Sequence, residues 1–366
     1  MRAIVLYPNE ICNENSEYLV TKLSDLQFTD IFFVAKNIDG KVYYSSKLAE
    51  APEDKLALLC KLASDHNMKV SAWFCTFTEG YTGALFGEGT SRFLKKNPDA
   101  AAVDAVGRST IEEPVRCDQG LENYVCPANP VVQRYELALI KEIIRKYPIK
   151  GVHLDFVRYP FPGDYCHCTF CTDKFKQDFS PSADGLRSQQ QMAKSRQQTI
   201  TQFINRAKKE IEGVDERVRM SALVWKYDDC LDMTQDWRNW DVDFVTPMFH
   251  HKHYGRSIGW ISDEISFNAR KSNKNIVAAV GGPYSDLFTK SEWDRVEKTV
   301  SSTESKGILY LHYGLAAVIE ALENGKLNSL KRRLKWYQVS TGIRMKSLGW
   351  AAIKALKQVK TWQAHP

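Results

Sequence analysis

The chain has 366 residues, 43% of them hydrophobic, with 17 Phe, 16 Tyr and 9 Trp, enough for a large core and against a disordered chain. Its formal charge of +6 gathers at one end: from Lys326 onward stand ten of the 50 Lys and Arg residues and no Asp or Glu, leaving 40 basic against 44 acidic residues in the body. That balance argues against a nucleic-acid groove, and no run of about 18 apolar residues offers a transmembrane helix.

Met1–Pro8 is too short and too soon interrupted for an export signal, so a cytoplasmic location is expected. These residues read instead as a first strand. Eight apolar runs rich in β-branched and aromatic residues follow one another: Ala3–Tyr7, Asp30–Ala35, Lys69–Cys75, Gly151–Asp155, Val218–Trp225, Phe244–Met248, Asn275–Val280 and Gly307–His312. Helical patterns alternate with them. Ser16–Leu26 is expected to start on Ser16 as N-cap, and a second helix to have Pro52 in its first turn. Pro130 opens Val131–Tyr147, and a long polar helix spans Leu186–Ile211. Shorter ones cover Gly255–Asn273, Glu292–Ser305 and Leu315–Leu322.

Strands alternating with helices predict parallel βαβ units, and eight of them predict a (β/α)8 barrel over residues 1–325. A doubly wound sheet is disfavoured, because the first turn lacks a Gly-x-Gly-x-x-Gly phosphate cradle and no organic cofactor is implied. Residues 326–366 read as a basic C-terminal helical extension, solvated or packed, with contact to an anionic surface as the alternative. Two connections are long, Thr76–Ala128 after the third strand and the one after the fourth; Ala100–Arg108 is expected to form a hairpin in the first. Both leave strand C-terminal ends, the face on which barrel enzymes carry their sites.

Of nine cysteines, Cys166, Cys168 and Cys171 form Cys-x-Cys-x-x-Cys, three soft ligands within six residues. A tetrahedral zinc requires four, and Cys126 is the expected fourth because consecutive barrel loops are neighbours. Cys117 and His167 are the rival fourth ligands. With four protein ligands the ion would be structural. The same segment, Tyr124-Val125-Cys126-Pro127-Ala128-Asn129-Pro130 with the downstream triplet, resembles the zinc site of glycoside hydrolase family 42 β-galactosidases. That family places an Asn-Glu pair on the fourth strand and a glutamate on the seventh; this chain has Leu154-Asp155 and Val280-Gly281-Gly282 there. Phe32–Ser46, Val70–Trp73, His153–Pro160 and Asp243–Met248 are similar to a group of glycosidase-like barrels, which implies a sugar-directed barrel.

Glycoside hydrolysis calls for two carboxyl groups flanking the scissile bond. Asp155 is the first candidate: strand alternation turns His153 and Asp155 to the same, inward side, and Arg158 is expected to keep Asp155 ionised. Asp229, after the fifth strand, and Glu79, after the third, are candidates for the second, with Asp228 behind them. Arg158, His153, His250 and His312 are expected substrate ligands. Trp73, Trp225 and Tyr313 are expected to join them, because sugar rings present apolar C–H faces to aromatic platforms. The rival readings are an inactive glycan- or protein-binding barrel and a hydrolase whose metal is held by the sixth-strand histidines with Asp155.

Overall fold

The computed structural model describes residues 1–324 apart from 13–14, 84–87, 118–119, 162–163, 180–184, 283–284, 286–287 and 313. The basic extension and Tyr313 therefore lie outside the described residues. In chain order the elements are β1 (Arg2–Leu6), α1 (Ser16–Asp25), β2 (Asp30–Lys36), α2 (Lys55–Asp65) and β3 (Lys69–Cys75). An insertion carries β4 (Thr78–Gly83), β5 (Gly89–Thr90), α3 (Arg92–Lys96), β6 (Val115–Arg116) and β7 (Gly120–Tyr124). Then follow α4 (Pro130–Lys146), β8 (Gly151–Asp155), α5 (Thr169–Asp178), α6 (Gly185–Glu212) and β9 (Arg219–Val224). The chain continues through β10 (Phe244–Pro247), α7 (Gly259–Ser272), β11 (Ala278–Gly281), α8 (Lys290–Ser301), β12 (Ile308–Leu311) and α9 (Leu315–Asn324).

Eight of the strands form one parallel sheet in the order β10-β9-β8-β3-β2-β1-β12-β11. The remaining seam is bridged by Val245–Ile276 and Met248–Ala279, with Phe249 N–H donating to the Ala279 carbonyl at 2.8 Å. This is the (β/α)8 barrel that the alternation predicts. Pairing at the seam is sparse, which is why the seventh strand begins at Ala278 rather than Asn275. Between β9 and β10 the connection carries a 3₁₀ turn, Trp237–Asn239, in place of an α-helix.

Period-two alternation sorts the side chains. Ala3, Val5, Phe32, Val34 and Trp73 fill the barrel interior, while Ile4, Leu6, Ile31 and Phe33 pack outward under the helices. Helix starts follow local capping chemistry. Asp54 accepts from Ala57 N–H and Asn129 from Val131 N–H with Pro130 in first position, so Pro52 precedes its helix rather than opening it. Ser16 is the first residue of α1, not its cap; its hydroxyl donates back to the Cys12 carbonyl.

The insertion after β3 is a second, four-stranded antiparallel sheet in the order β5-β4-β7-β6. Ala100–Arg108 does turn as a hairpin: Val103 bridges Ser109 and Asp104 N–H donates to Arg108 O.

Candidate active site

A cavity of about 280 Å³ lies at the C-terminal ends of the barrel strands. Tyr7, Trp73, Asp155, Trp225, His250 and His312 reach it from six different strands or the residues just after them. Tyr81, Cys117 and Glu122 reach it from the inserted sheet, or just beside it.

Asp155 ends β8 and faces inward with His153, as alternation requires. Its Oδ1 accepts from the Phe156 N–H at 2.6 Å, and the Trp73 indole N–H donates to the same carboxyl group. Burial dominates its titration and pushes its pKa up to about 7, against the opposing pull of the Phe156 N–H and Arg158. The expectation that Arg158 keeps Asp155 fully ionised is therefore corrected: desolvation outweighs the arginine. Phe156 adopts a left-handed backbone (φ 49°), uncommon for a bulky residue, and Arg158 N–H donates to the Phe156 carbonyl. The Arg158 guanidinium then lies 5.2 Å from the Phe156 ring centre and 5.4 Å from that of Tyr124. Its NH1 has no hydrogen-bond partner in the protein.

His250 and His312 in the cavity wall are neutral. Burial lowers His250 to about 3 and His312 to about 4. The His312 Nε2–H donates to the Val5 carbonyl at 2.7 Å, which leaves Nδ1 as an acceptor without a hydrogen-bond partner; the nearest carboxylate oxygen, of Glu10, is 3.7 Å away. The His250 Nε2 is likewise unpartnered.

Several expected site residues are placed elsewhere. His153 lies in the barrel interior, fully buried, 2.8 Å from the Ser221 hydroxyl and packed on Trp73 and Phe32, so it does not line the cavity. Glu79 is buried in an ion triad, 2.8 Å from the Lys36 ammonium, which also meets Glu136 at 3.0 Å. Only a buried cation makes that position tolerable for a carboxylate, and it draws Glu79 away from the cavity. Asp229 stands on a surface turn, 40% exposed and paired with Lys226 at 3.1 Å, also outside the lining. Tyr313 lies outside the described residues.

Glu122 is the carboxylate that the sequence reading missed. It is 3% exposed and directly opposite Tyr81 across the β4–β7 pair. Burial raises its pKa and the Arg158 guanidinium opposes that rise. The signal was faint: Gly-Leu-Glu-Asn-Tyr lacks clean alternation, and its partner strands are short or glycine-bearing.

The four cysteines chosen from spacing do come together. The Sγ atoms of Cys126, Cys166, Cys168 and Cys171 lie within 4.8 Å of one another, with 3.3 Å between Cys126 and Cys168 and 3.4 Å between Cys126 and Cys171. Those spacings are too long for disulfides, about 2.05 Å, and near the edge of a tetrahedron built on bonds of about 2.3 Å. Val103 and Cys168 N–H groups point at the Cys166 sulfur. The donor set fits a thiolate-bound metal ion. Among the described residues it is the one group of three or more His, Cys, Asp or Glu ligand atoms arranged around a common point; the sixth-strand histidines are not so arranged. The rival fourth ligands are engaged elsewhere, Cys117 on the cavity wall and His167 with Asp164 at 2.9 Å.

The architecture is shared with solved structures. The glycoside hydrolase domain of PgaB (BpsB) from Bordetella bronchiseptica superposes with a TM-score of 0.69 at 13% identity, over 90% of this chain and 99% of that one. The β-amylase catalytic domain of Paenibacillus polymyxa gives 0.60 at 11%, over 88% and 94%. α-L-Fucosidase isoenzyme 2 of Paenibacillus thiaminolyticus gives 0.61 at 15%, over 88% of this chain and 48% of that one. These likenesses are likenesses of fold. The chain itself belongs to the glycosyl hydrolase-like 10 family, whose profile matches residues 3–292. No curated protein sequence matches.

Proposed function

We propose that the protein is a glycoside hydrolase that cleaves O-glycosidic bonds of an oligo- or polysaccharide at the C-terminal face of its barrel. The observation that carries this reading is Asp155: a carboxyl group at the end of the fourth barrel strand, open to an aromatic-walled cavity, that retains its proton up to about pH 7. A carboxylic acid still protonated near neutrality can donate to the leaving glycosidic oxygen as the C–O bond breaks. Trp73, Tyr7 and Trp225 supply apolar faces for a sugar ring. The unpartnered nitrogens of His250, His312 and Arg158 supply hydrogen-bonding positions for hydroxyl groups.

The cysteine cluster is read as a structural zinc site. Four thiolates leave such an ion no open position, so its contribution would be to fasten the connection after β7 to the one after β8. Asp155 ends β8, and Arg158 belongs to the connection that follows it.

The test is a broad oligosaccharide panel incubated with wild type and Asp155→Asn, with released reducing ends measured. Wild type is expected to turn over at least one member, and Asp155→Asn to lose about 10²–10⁴-fold in kcat. Equal turnover by the variant would remove Asp155 from the mechanism. Glycan binding without turnover by wild type would favour the binding-barrel reading, which the glycine pair at the end of β11 supports.

A further inference from the structure

We infer that Glu122, delivered by the inserted sheet, is the second carboxyl group of the reaction, so that the insertion after β3 completes the catalytic site. This deepens the glycosidase reading and rests on it.

Tyr81 and Glu122 oppose one another on neighbouring antiparallel strands, and both line the cavity that Asp155 enters from the barrel. Acid and counter-charge thus come from two separate sheets facing one space. Among the described residues that line this cavity, Asp155 and Glu122 are the carboxylates.

A buried carboxylate is costly unless partners satisfy it. The Glu122 carboxyl group meets the Tyr124 and Cys117 side chains, but its Oε2 lacks a well-formed hydrogen bond in the protein, and Arg158 NH1 on the same cavity wall has none either. A structural ion pair would have closed these two groups on each other. Held apart, they leave a buried acceptor and a buried donor for something that enters the cavity.

The seventh strand has no room for this group. Gly281 and Gly282 have φ of +92° and +77°. A Cβ on Gly281 would stand 2.4 Å from the Leu311 carbonyl, and one on Gly282 would stand 2.6 Å from the His250 ring. No side chain fits there without displacing the cavity wall.

The roles follow from the surroundings. Asp155 gives its proton to the leaving oxygen, which departs with the electron pair of the broken bond. Burial raises the Glu122 pKa while the Arg158 guanidinium opposes that rise; as a carboxylate, Glu122 sets its negative charge against the anomeric carbon as positive charge develops there. Water then adds its oxygen to that carbon and returns a proton to Asp155. One water is consumed, and both side chains end as they began.

The experiment compares Glu122→Gln, Glu122→Ala, Glu122→Asp and Asp155→Asn in the full chain. Substrates are the oligosaccharide that wild type cleaves and a dinitrophenyl glycoside of the same sugar. Glu122→Gln is expected to lose about 10²–10⁴-fold in kcat on both substrates. Asp155→Asn should be partly spared on the dinitrophenyl glycoside, whose leaving group needs no proton. Azide should restore turnover to Glu122→Ala, and Glu122→Asp should lose kcat at an unchanged melting temperature, which separates chemistry from folding. Glu122→Gln turnover within about threefold of wild type, with Asp155→Asn inactive on the oligosaccharide, would overturn the inference and leave the glycosidase reading standing. Wild type without turnover on the whole panel would overturn both.

Discussion

The His250 ring occupies the space that a side chain on Gly282 would need, with Nδ1 2.6 Å from an ideal Cβ position. The glycine therefore seats a cavity-lining histidine. Gly282→Ala should displace His250 and lower kcat/KM, with stability reduced by about 1–3 kcal/mol. Gly255 is the control, because its φ is +64° but open space surrounds it. Gly255→Ala carries the backbone penalty without the clash. If both variants lose the same melting temperature and neither loses kcat/KM, the His250 contact has no functional weight.

Asp155 makes stability depend on pH in a predictable direction. Its folded pKa, about 7, lies above the ordinary carboxylate value because of burial. Near pH 3 and below, folded and unfolded chains both hold the proton. Between about pH 4 and 7 the unfolded chain ionises first, so this group's contribution to stability falls, and above 7 it levels off. Asp155→Asn removes that loss while its amide oxygen can still accept from Phe156 N–H. The variant's melting temperature relative to wild type should rise from pH 4 to pH 8, by the equivalent of about 1–3 kcal/mol. A difference that stays flat across that range would show Asp155 to be solvated rather than buried.

The barrel was legible because its strands are short apolar runs at steady intervals, a pattern set by burial on both faces of a parallel sheet. The cysteine set was legible because metal-type spacing survives in sequence and consecutive barrel loops are neighbours. Asp155 was placed on the inward face by alternation alone. What alternation lacks is depth: His153 lies on the same face two residues earlier, yet belongs to the packed interior with Ser221 and Trp73. Glu79 and Glu122 show the other limit. Both are acidic residues in one insertion. Contact with Lys36, 43 positions before Glu79, separates the ion-triad member from the cavity residue.

That triad makes a prediction of its own. The Lys36 ammonium donates to the Cys75 and Thr76 carbonyls at 2.7 and 2.9 Å while pairing with Glu79 and Glu136, all of it buried. It pins the end of β3, where Cys75 is the register partner of Asp155. Two carboxyls share one cation, and burial pushes the Glu136 carboxyl well above the ordinary carboxylate range. Lys36→Met leaves Glu79 buried without a counter-charge and should cost about 3–5 kcal/mol in urea denaturation. Glu136→Gln keeps the side-chain shape and leaves Glu79 on the Lys36 ammonium, and should cost no more than about 1 kcal/mol. Comparable losses for the two would mean that Glu136 is ionised in the fold.

The cysteine cluster joins the connection after β7 to the connection after β8, because Cys126 comes from one and Cys166, Cys168 and Cys171 from the other. If four thiolates hold a zinc ion there, elemental analysis of purified protein should find about one equivalent per chain. Cys168→Ser should lower that content and the melting temperature together. Cys60→Ala and Cys230→Ala remove lone buried thiols and should keep the metal. Glu122 lies four residues before Cys126, and Asp155 eleven before Cys166, so loosening the clamp should also relax the spacing of the two carboxyl groups. Partial loss of metal should therefore lower kcat in proportion, and restoring zinc should recover both stability and turnover. Full metal content and an unchanged melting temperature in Cys168→Ser would show that this thiol neither binds an ion nor fastens the two connections.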